Sequence, residues 1–298
     1  VTKHLVAAAQ LGPAAPTHAG TVSRIVTLIN AAADAGVALV VFPELALSPY
    51  FAAAIHDDVS GWFEQEMPSP ETRVIFDLAA KRQITVMLPF AELQGDRSFN
   101  SAVLIDAQGN EAGRYRKVHV PGRVDPPTDG SRACYEKRYF TPGDLGYPCS
   151  DAVVGKLGML ICYDLRFPES YRCYALAGAE VIAIGYGTDL GTDLKGNRAL
   201  ERAQERHEIP MRAGAIANGL YIIASGKAGV EEGTPYIGGS CIIAPSGEII
   251  AKGQTDGDEL VVAEIDREEV AQSRERLNLA LNRHPEHYGI LTHMPVAV

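Results

Sequence analysis

Residues 155–169 read GKLGMLICYDLRFPE. An apolar run from Leu157 to Ile161 stops at a thiol, Cys162, and a charged, proline-punctuated segment follows at once. A short apolar run bounded by turn signals reads as a buried strand. Cys162 therefore stands where a strand hands over to a loop, the place where ligands bind in open α/β sheets. Pro168 can open a helix at its first position. Tyr171, Tyr174, Ala175 and Leu176 would then face a core.

On both sides of this stretch, strand-like runs alternate with helix-like segments. Lys3 to Ala9 reads as a first strand. Thr21 to Ala35 is amphipathic, with Gly36 as its stop. Val37 to Phe42 is a continuous apolar strand ending at Pro43–Glu44. Glu71 to Lys81 reads as a helix, followed by strands at Ile84–Phe90 and Ser101–Ile105. A long irregular stretch, Gly122 to Ser150, carries much of the proline and glycine. Val181–Gly185 reads as a strand, and Pro210 to Asn218 as a helix closed by Gly219. Strands follow at Leu220–Ser225, Gly239–Ala244, Glu248–Ala251 and Leu260–Ile265. Those flanking Pro245–Ser246–Gly247 form a hairpin. A last helix spans Arg267 to Asn282. The pattern predicts one α/β domain over residues 1–298, with residues 284–298 (Pro285, His287, Tyr288 and Pro295 among them) a candidate subunit-contact tail.

Hydrophobic residues make up 46% and charged residues 21% of the 298, as in ordinary soluble globular proteins. A formal net charge of -10 disfavours nucleic acid and anionic membranes as partners. No stretch approaches the roughly 18 apolar residues of a spanning helix. VTKHLVAAAQ reads as a strand rather than a secretion signal. The five cysteines, Cys134, Cys149, Cys162, Cys173 and Cys241, are odd in number and form no CxxC pair. That disfavours a disulfide framework and points to the cytoplasm. The eight histidines show no HxxxH or HExxH spacing, so no metal site is predicted.

A thiol that attacks an amide-like carbonyl needs help, because an unassisted cysteine is mostly protonated at neutral pH. Something must take its proton and later return one to the leaving nitrogen. Glu44, at another strand end, can do both. Lys117 and the backbone N–H of Tyr163 can stabilise the oxyanion. Each residue also has an ordinary reading. A lone strand-end cysteine is usually inert core. A glutamate after a strand often caps a turn. Lys117 lies beside Arg114 and Arg116, and such charge runs are usually solvated.

The surrounding strings go further. VVFPELAL (40–47), YRKVHVPG (115–122) and ICYDLRFPE (161–169) resemble the three signature segments of the nitrilase superfamily, the carbon–nitrogen hydrolases. The resemblance runs from the first strand to Ile265. It implies a Glu–Lys–Cys triad, mapping onto Glu44, Lys117 and Cys162. It also implies an α-β-β-α sandwich, pairing into an αββααββα dimer and so a homodimer or homotetramer. A second family glutamate maps onto Glu136, which would hold Lys117 protonated. Its ordinary alternative is a loop salt bridge with Lys137 or Arg138. Thiol, base and oxyanion donor cover the chemistry, so no metal or organic cofactor is expected.

Tyr163–Asp164 after the cysteine resembles the amidase and carbamoylase branches. EKRYFTPGDLGYP (136–148), ASGKAGVEEG (224–233) and GGSCIIAPSGEI (238–249) are similar to the N-carbamoyl-D-amino acid amidohydrolases. His119 and His207 fall where that family has histidines near its site. Arg166 could grip a substrate carboxylate with two parallel bonds, or pair internally with Asp164 or Glu169. The chain departs from the pattern in three places. Leu165–Arg166 stands where consecutive arginines are usual. Gly187, in the segment Gly185 to Thr188 that lends Thr188 to the substrate site, replaces an asparagine. Cys134 replaces a histidine. The expected reaction is hydrolysis of the carbamoyl C–N bond of an N-carbamoyl-amino acid, in the D series, to amino acid, carbon dioxide and ammonia. The alternatives are an amidase acting on a small carboxamide and a non-catalytic binding member.

Overall fold

The computed structural model describes residues 2–129, 133–191 and 194–293. In chain order its regular elements begin with β1 (Lys3–Gln10), α1 (His18–Asp34), β2 (Leu39–Val41), β3 (Phe63–Glu64) and α2 (Arg73–Arg82). Next come β4 (Thr85–Gln94), β5 (Arg97–Ile105), β6 (Glu111–Arg116), α3 (Glu136–Tyr139), β7 (Ser150–Ala152) and β8 (Gly155–Ile161). Then follow α4 (Pro168–Leu176), β9 (Val181–Tyr186), α5 (Ala199–Asn218), β10 (Tyr221–Gly226), β11 (Ala228–Glu231) and β12 (Thr234–Ile237). The last are β13 (Cys241–Ile243), β14 (Ile249–Lys252), β15 (Glu259–Asp266), α6 (Arg267–Leu277) and α7 (Leu279–Asn282). One sheet runs β15-β1-β2-β4-β5-β6, with β3 beside β4. The other runs β14-β13-β10-β9-β8-β7, and β11 and β12 form a separate hairpin.

Successive strand side chains point to opposite faces, and here the alternation separates two cores. Val6, Ala8, Leu39, Val41, Met87, Ala102 and Leu104 share one core with the second sheet. Their neighbours Ala7, Ala9, Val40, Val86, Leu88, Val103 and Ile105 pack instead with Ile25 and Ile29 of α1 and Ile75 and Phe76 of α2. Both faces of the first sheet are therefore covered, which is why its strands read as unbroken apolar runs. Tyr171 and Tyr174 of α4 and Met211 and Ala215 of α5 join the core of the second sheet. The result is the expected α-β-β-α sandwich. Gly158 serves this packing directly: a Cβ there would lie 2.5 Å from the Tyr174 ring. No helix among the described residues is long and apolar enough to cross a membrane.

Several expectations shift. The first helix starts at His18, three residues before Thr21, because the Thr17 side chain accepts from Gly20 N–H and caps it. Leu176 is 53% exposed instead of facing the core. The helix expected from Pro210 begins at Ala199, and Pro210 lies inside it. Buried Ala203, His207, Met211 and Ala215, four apart, hold that long helix against the sheet and override the proline signal. A proline lacks the N–H that would bond four residues back. The carbonyl left free, that of Arg206, accepts from Arg166 Nη1 at 3.3 Å. β6 carries too many polar residues to read as a strand, and β11 and β12 are four residues each, interrupted by Gly229 and Pro235. The last helix breaks at Asn278, which is left-handed with φ 42.

Candidate active site

Three strand ends converge. Glu44 follows β2, Lys117 follows β6 and Cys162 follows β8. The sheets press together here because residue 185 has no side chain. A Cβ on Gly185 would lie 2.8 Å from Phe42 O and 3.0 Å from Glu44 N.

Glu44, Lys117 and Glu136 are almost wholly buried. Lys117 Nζ donates to Glu44 Oε1 at 2.6 Å and to both Glu136 oxygens at 2.8 and 2.7 Å. Asn100 Nδ2 donates to Glu44 Oε1 at 2.8 Å, and the Gly187 N–H donates to Glu44 Oε2 at 2.9 Å. The Tyr50 hydroxyl donates to Glu136 Oε1 at 2.5 Å. Burial alone would lower the Lys117 pKa, but Glu136 and Glu44 outweigh it and raise it well above the ordinary lysine value. Burial pushes Glu136 up to about 7; Lys117 pulls it down and Glu44 adds to the rise. Two carboxylates around one ammonium cannot both be neutralised. The Lys137 and Arg138 alternative for Glu136 is not what the fold uses: Arg138 Nη1 donates to Val124 O.

Cys162 has φ 46, a left-handed backbone that a non-glycine residue adopts at a cost of about 1–3 kcal/mol. Asp164, fully buried, holds this elbow. Its Oδ2 accepts from Ile161 N–H at 3.1 Å and from the Tyr115 hydroxyl at 2.7 Å. Its Oδ1 accepts from His119 N–H at 2.9 Å. Tyr163 is the second residue of the short 3-10 turn Cys162–Arg166, so its N–H has no acceptor within that turn. Burial and the Glu44 charge raise the Cys162 pKa well above the ordinary thiol value, while Lys117 pulls it down. Cys162 lies within electrostatic reach of Glu44, Lys117 and Glu136.

A cavity of about 420 Å³ opens above these groups, lined by Cys162, Tyr163, Arg166, Thr188, Asp189, His207, Glu136 and Tyr50 among others. Thr188 Oγ1 lies 3.5 Å from Cys162 Sγ and 3.4 Å from His207 Nδ1. His207 Nε2 is buried with no hydrogen-bond partner among the described residues. Burial, with Arg166 nearby, lowers the His207 pKa to about 3, so its imidazole is neutral at working pH. His119 is placed elsewhere. Its Nδ1 meets Asp164 Oδ1 at 2.8 Å, its ring stacks on Phe167 at 3.6 Å, and it does not line the cavity.

Sequence reading missed Tyr50, Asn100 and the Gly187 N–H. Nothing in PELALSPY marks Tyr50, whose contact with Glu136 spans 86 residues. The departures at Gly187 and Cys134 fall in one place. A Cβ on Gly187 would lie 2.8 Å from the Tyr50 ring. Cys134 Sγ sits 3.7 Å from the Tyr50 hydroxyl. Both changes surround that tyrosine.

Residues 5–275 match the family described as Carbon-nitrogen hydrolase. The chain belongs to that family. Among its relatives is the N-carbamoylputrescine amidase of Solanum lycopersicum, 30% identical, the alignment covering 92% of this chain and 89% of the relative. Another is the citrullinase of Francisella tularensis, 30% identical, covering 91% and 92%. A crystal structure of a carbon-nitrogen hydrolase from Helicobacter pylori G27 superposes with TM-score 0.86 and 30% identity, covering 98% of this chain and 99% of that one. The nitrilase-superfamily resemblance and the sandwich fold are thus established, as is hydrolysis of carbamoyl or amide C–N bonds as the family's chemistry. These relatives carry other names than N-carbamoyl-D-amino acid amidohydrolase.

Proposed function

We propose that this carbon–nitrogen hydrolase cleaves the carbamoyl C–N bond of a small N-carbamoyl amino acid, with Cys162 as nucleophile. One observation carries the reading: the buried Glu44–Lys117–Glu136 cluster lies directly under the cavity that Cys162 lines. Glu44 takes the thiol proton as sulfur attacks the ureido carbon. Lys117 and the Tyr163 N–H stabilise the oxyanion. One nitrogen leaves with the proton held by Glu44, and the carbamoyl carbon stays bound to sulfur. Glu44 then takes a proton from water, which attacks that carbon, and returns it to the sulfur as the C–S bond breaks. The carbamate released breaks down to carbon dioxide and the remaining amine.

Arg166 supports a substrate carboxylate. It lines the cavity and is tethered to the Arg206 carbonyl rather than paired with a carboxylate in any ion pair among the described residues. Neutral His207 and Thr188 offer hydrogen bonds to the uncharged ureido group. Preference for the D series rests on the string resemblance alone. His119 acts through Asp164 on the elbow instead of touching substrate. Exposed apolar side chains on α4, α5, α7 and the tail (Leu176, Ile209, Ile216, Leu281, Ile290 and Leu291) support the dimer implied by the resemblance. Ile290 and Leu291 belong to the near part of the expected tail; residues 294–298 lie outside the described ones.

Ammonia release from a panel tests the substrate: N-carbamoyl-D- and L-amino acids, an N-carbamoyl diamine, citrulline, simple amides and nitriles. Carbamoyl amino acids should turn over fastest, and Cys162→Ala should fold and turn over none of them. Turnover of amides alone would replace the substrate reading and spare the triad. Turnover retained by Cys162→Ala would remove the nucleophile.

A further inference from the structure

Two buried ionisable side chains have no part in the reaction above. Lys227 is 3% exposed and Glu231 6%. Lys227 sits where the two sheets touch: it forms an isolated parallel bridge with Leu11, beyond the end of β1. Its Nζ donates to Ser48 O at 2.8 Å and lies 3.2 and 3.3 Å from the Glu231 oxygens. Glu231 Oε2 accepts from Tyr50 N–H at 2.6 Å, and Oε1 accepts from Ala14 N–H at 2.7 Å.

Ser48 and Tyr50 belong to the segment that leaves Glu44. That segment starts with Leu45 at φ 49, a strained left-handed turn. The cation takes a carbonyl and the anion takes an N–H two residues on, so the pair clamps the segment in both polarities. Charge-assisted bonds of this kind are about twice as strong as neutral ones. Packing alone does not require ions here, because a buried ion pair is often no more stabilising than apolar groups of equal volume. Burial lowers the Lys227 pKa, and Glu231 opposes the fall. What the clamp delivers is the Tyr50 hydroxyl, set on Glu136 Oε1, which in turn holds Lys117 against Glu44.

We infer that Lys227 and Glu231 are positioning residues for turnover, fixing Tyr50 so that the Glu136–Lys117–Glu44 cluster is held in register beneath Cys162. The inference rests on the roles proposed for Glu44 and Lys117.

The test measures ammonia release by the full chain and by Lys227→Met, Lys227→Arg, Glu231→Gln, Tyr50→Phe and the Lys227→Met/Tyr50→Phe double variant. Lys227→Met should lower kcat by about 10- to 100-fold with KM within about threefold, the signature of a lost transition-state arrangement. Lys227→Arg should recover most of kcat. Residues acting through one route are not additive, so the double variant should fall no more than about threefold below the weaker single. Should Lys227→Met not fold, Glu231→Gln keeps the shape and should lower kcat about tenfold, being left with a neutral acceptor. A lowered Tm with unchanged kcat, or single effects that multiply in the double variant, overturns the inference alone. A wild-type chain with no turnover on any substrate of the panel overturns the proposed function and this inference with it.

Discussion

Arg116 and Lys117 are adjacent in sequence and both are buried, yet they serve opposite kinds of carboxylate cluster. Arg116 donates to Glu92 through Nε at 2.9 Å and Nη2 at 2.8 Å, and stands 4.0 Å over the Phe99 ring. Arg114 adds a bond to Glu92 at 2.6 Å and Ser101 another at 2.5 Å. Two cations meet the one buried carboxylate of Glu92, and their remaining donors reach the half-exposed Asp144 and Glu111 at 2.9 and 2.7 Å. Burial alone would raise the Glu92 pKa, but Arg116, Ser101 and Arg114 hold it below the usual carboxylate value. Around Lys117 a single cation serves two wholly buried carboxylates, and Glu136 rises to about 7. The first cluster is satisfied and holds structure. The second keeps a proton that can move near neutral pH, which is what general acid–base chemistry needs. Strand alternation assigns the supports: Asn100 reaches Glu44, while its neighbour Ser101 reaches Glu92.

The sharpest way to break this contrast is to neutralise each cation in turn. Lys117→Met should cut kcat by about 10³-fold or more through loss of oxyanion stabilisation. Arg116→Met should leave the kcat of folded enzyme within about twofold, since its partner touches no substrate. Steady-state ammonia release, corrected for folded fraction by circular dichroism, compares the two.

Next in size is Glu92→Gln. Arg116 keeps Asp144 and Gln94 but loses its buried carboxylate, which should cost about 1–3 kcal/mol in urea unfolding, with kcat of the folded enzyme nearly unchanged. A matching loss of kcat would mean that the clusters are not separable.

A third prediction concerns pH. The pKa of Glu136 is raised in the folded chain, so its proton stabilises the fold fully below the unfolded carboxylate range and is lost as pH rises through about 7. The pKa of Glu92 is lowered, so its contribution is present above the unfolded range and lost as pH falls through the depressed value. Stability should therefore fall between about pH 4.5 and 7 by the Glu136 contribution, and Glu136→Gln should abolish that slope. In activity the same proton draws Lys117 toward Glu44 and weakens the base. The acid limb of kcat/KM should lie near pH 7 and flatten in Glu136→Gln. The smallest effect should come from Ser101→Ala. Removing one of several donors to Glu92 should cost about 1 kcal/mol and leave both the pH profile and turnover intact.

Cys162 and Glu44 were legible because each stands where an apolar run ends, whereas Lys117, in a polar run, was legible only because three ordered strings resemble the family. Glu136 was legible only through that resemblance; its bonding to Lys117 instead of Lys137 or Arg138 is a matter of folding. Arg114 and Arg116 were misread as a solvated run, since nothing local shows that Glu92 waits two strands away. Tyr50 and the Lys227–Glu231 clamp were invisible, because their key bonds span 86 and 181 residues.

Local apolar periodicity, turn residues and strand ends were enough to determine a two-faced sheet architecture and the positions where reactive groups emerge. Only the tertiary structure decided how many cations meet each buried carboxylate, and hence which cluster keeps a labile proton. That ratio depends on which distant strands meet, and a side chain's charge state follows from its neighbours in space rather than its neighbours in the chain.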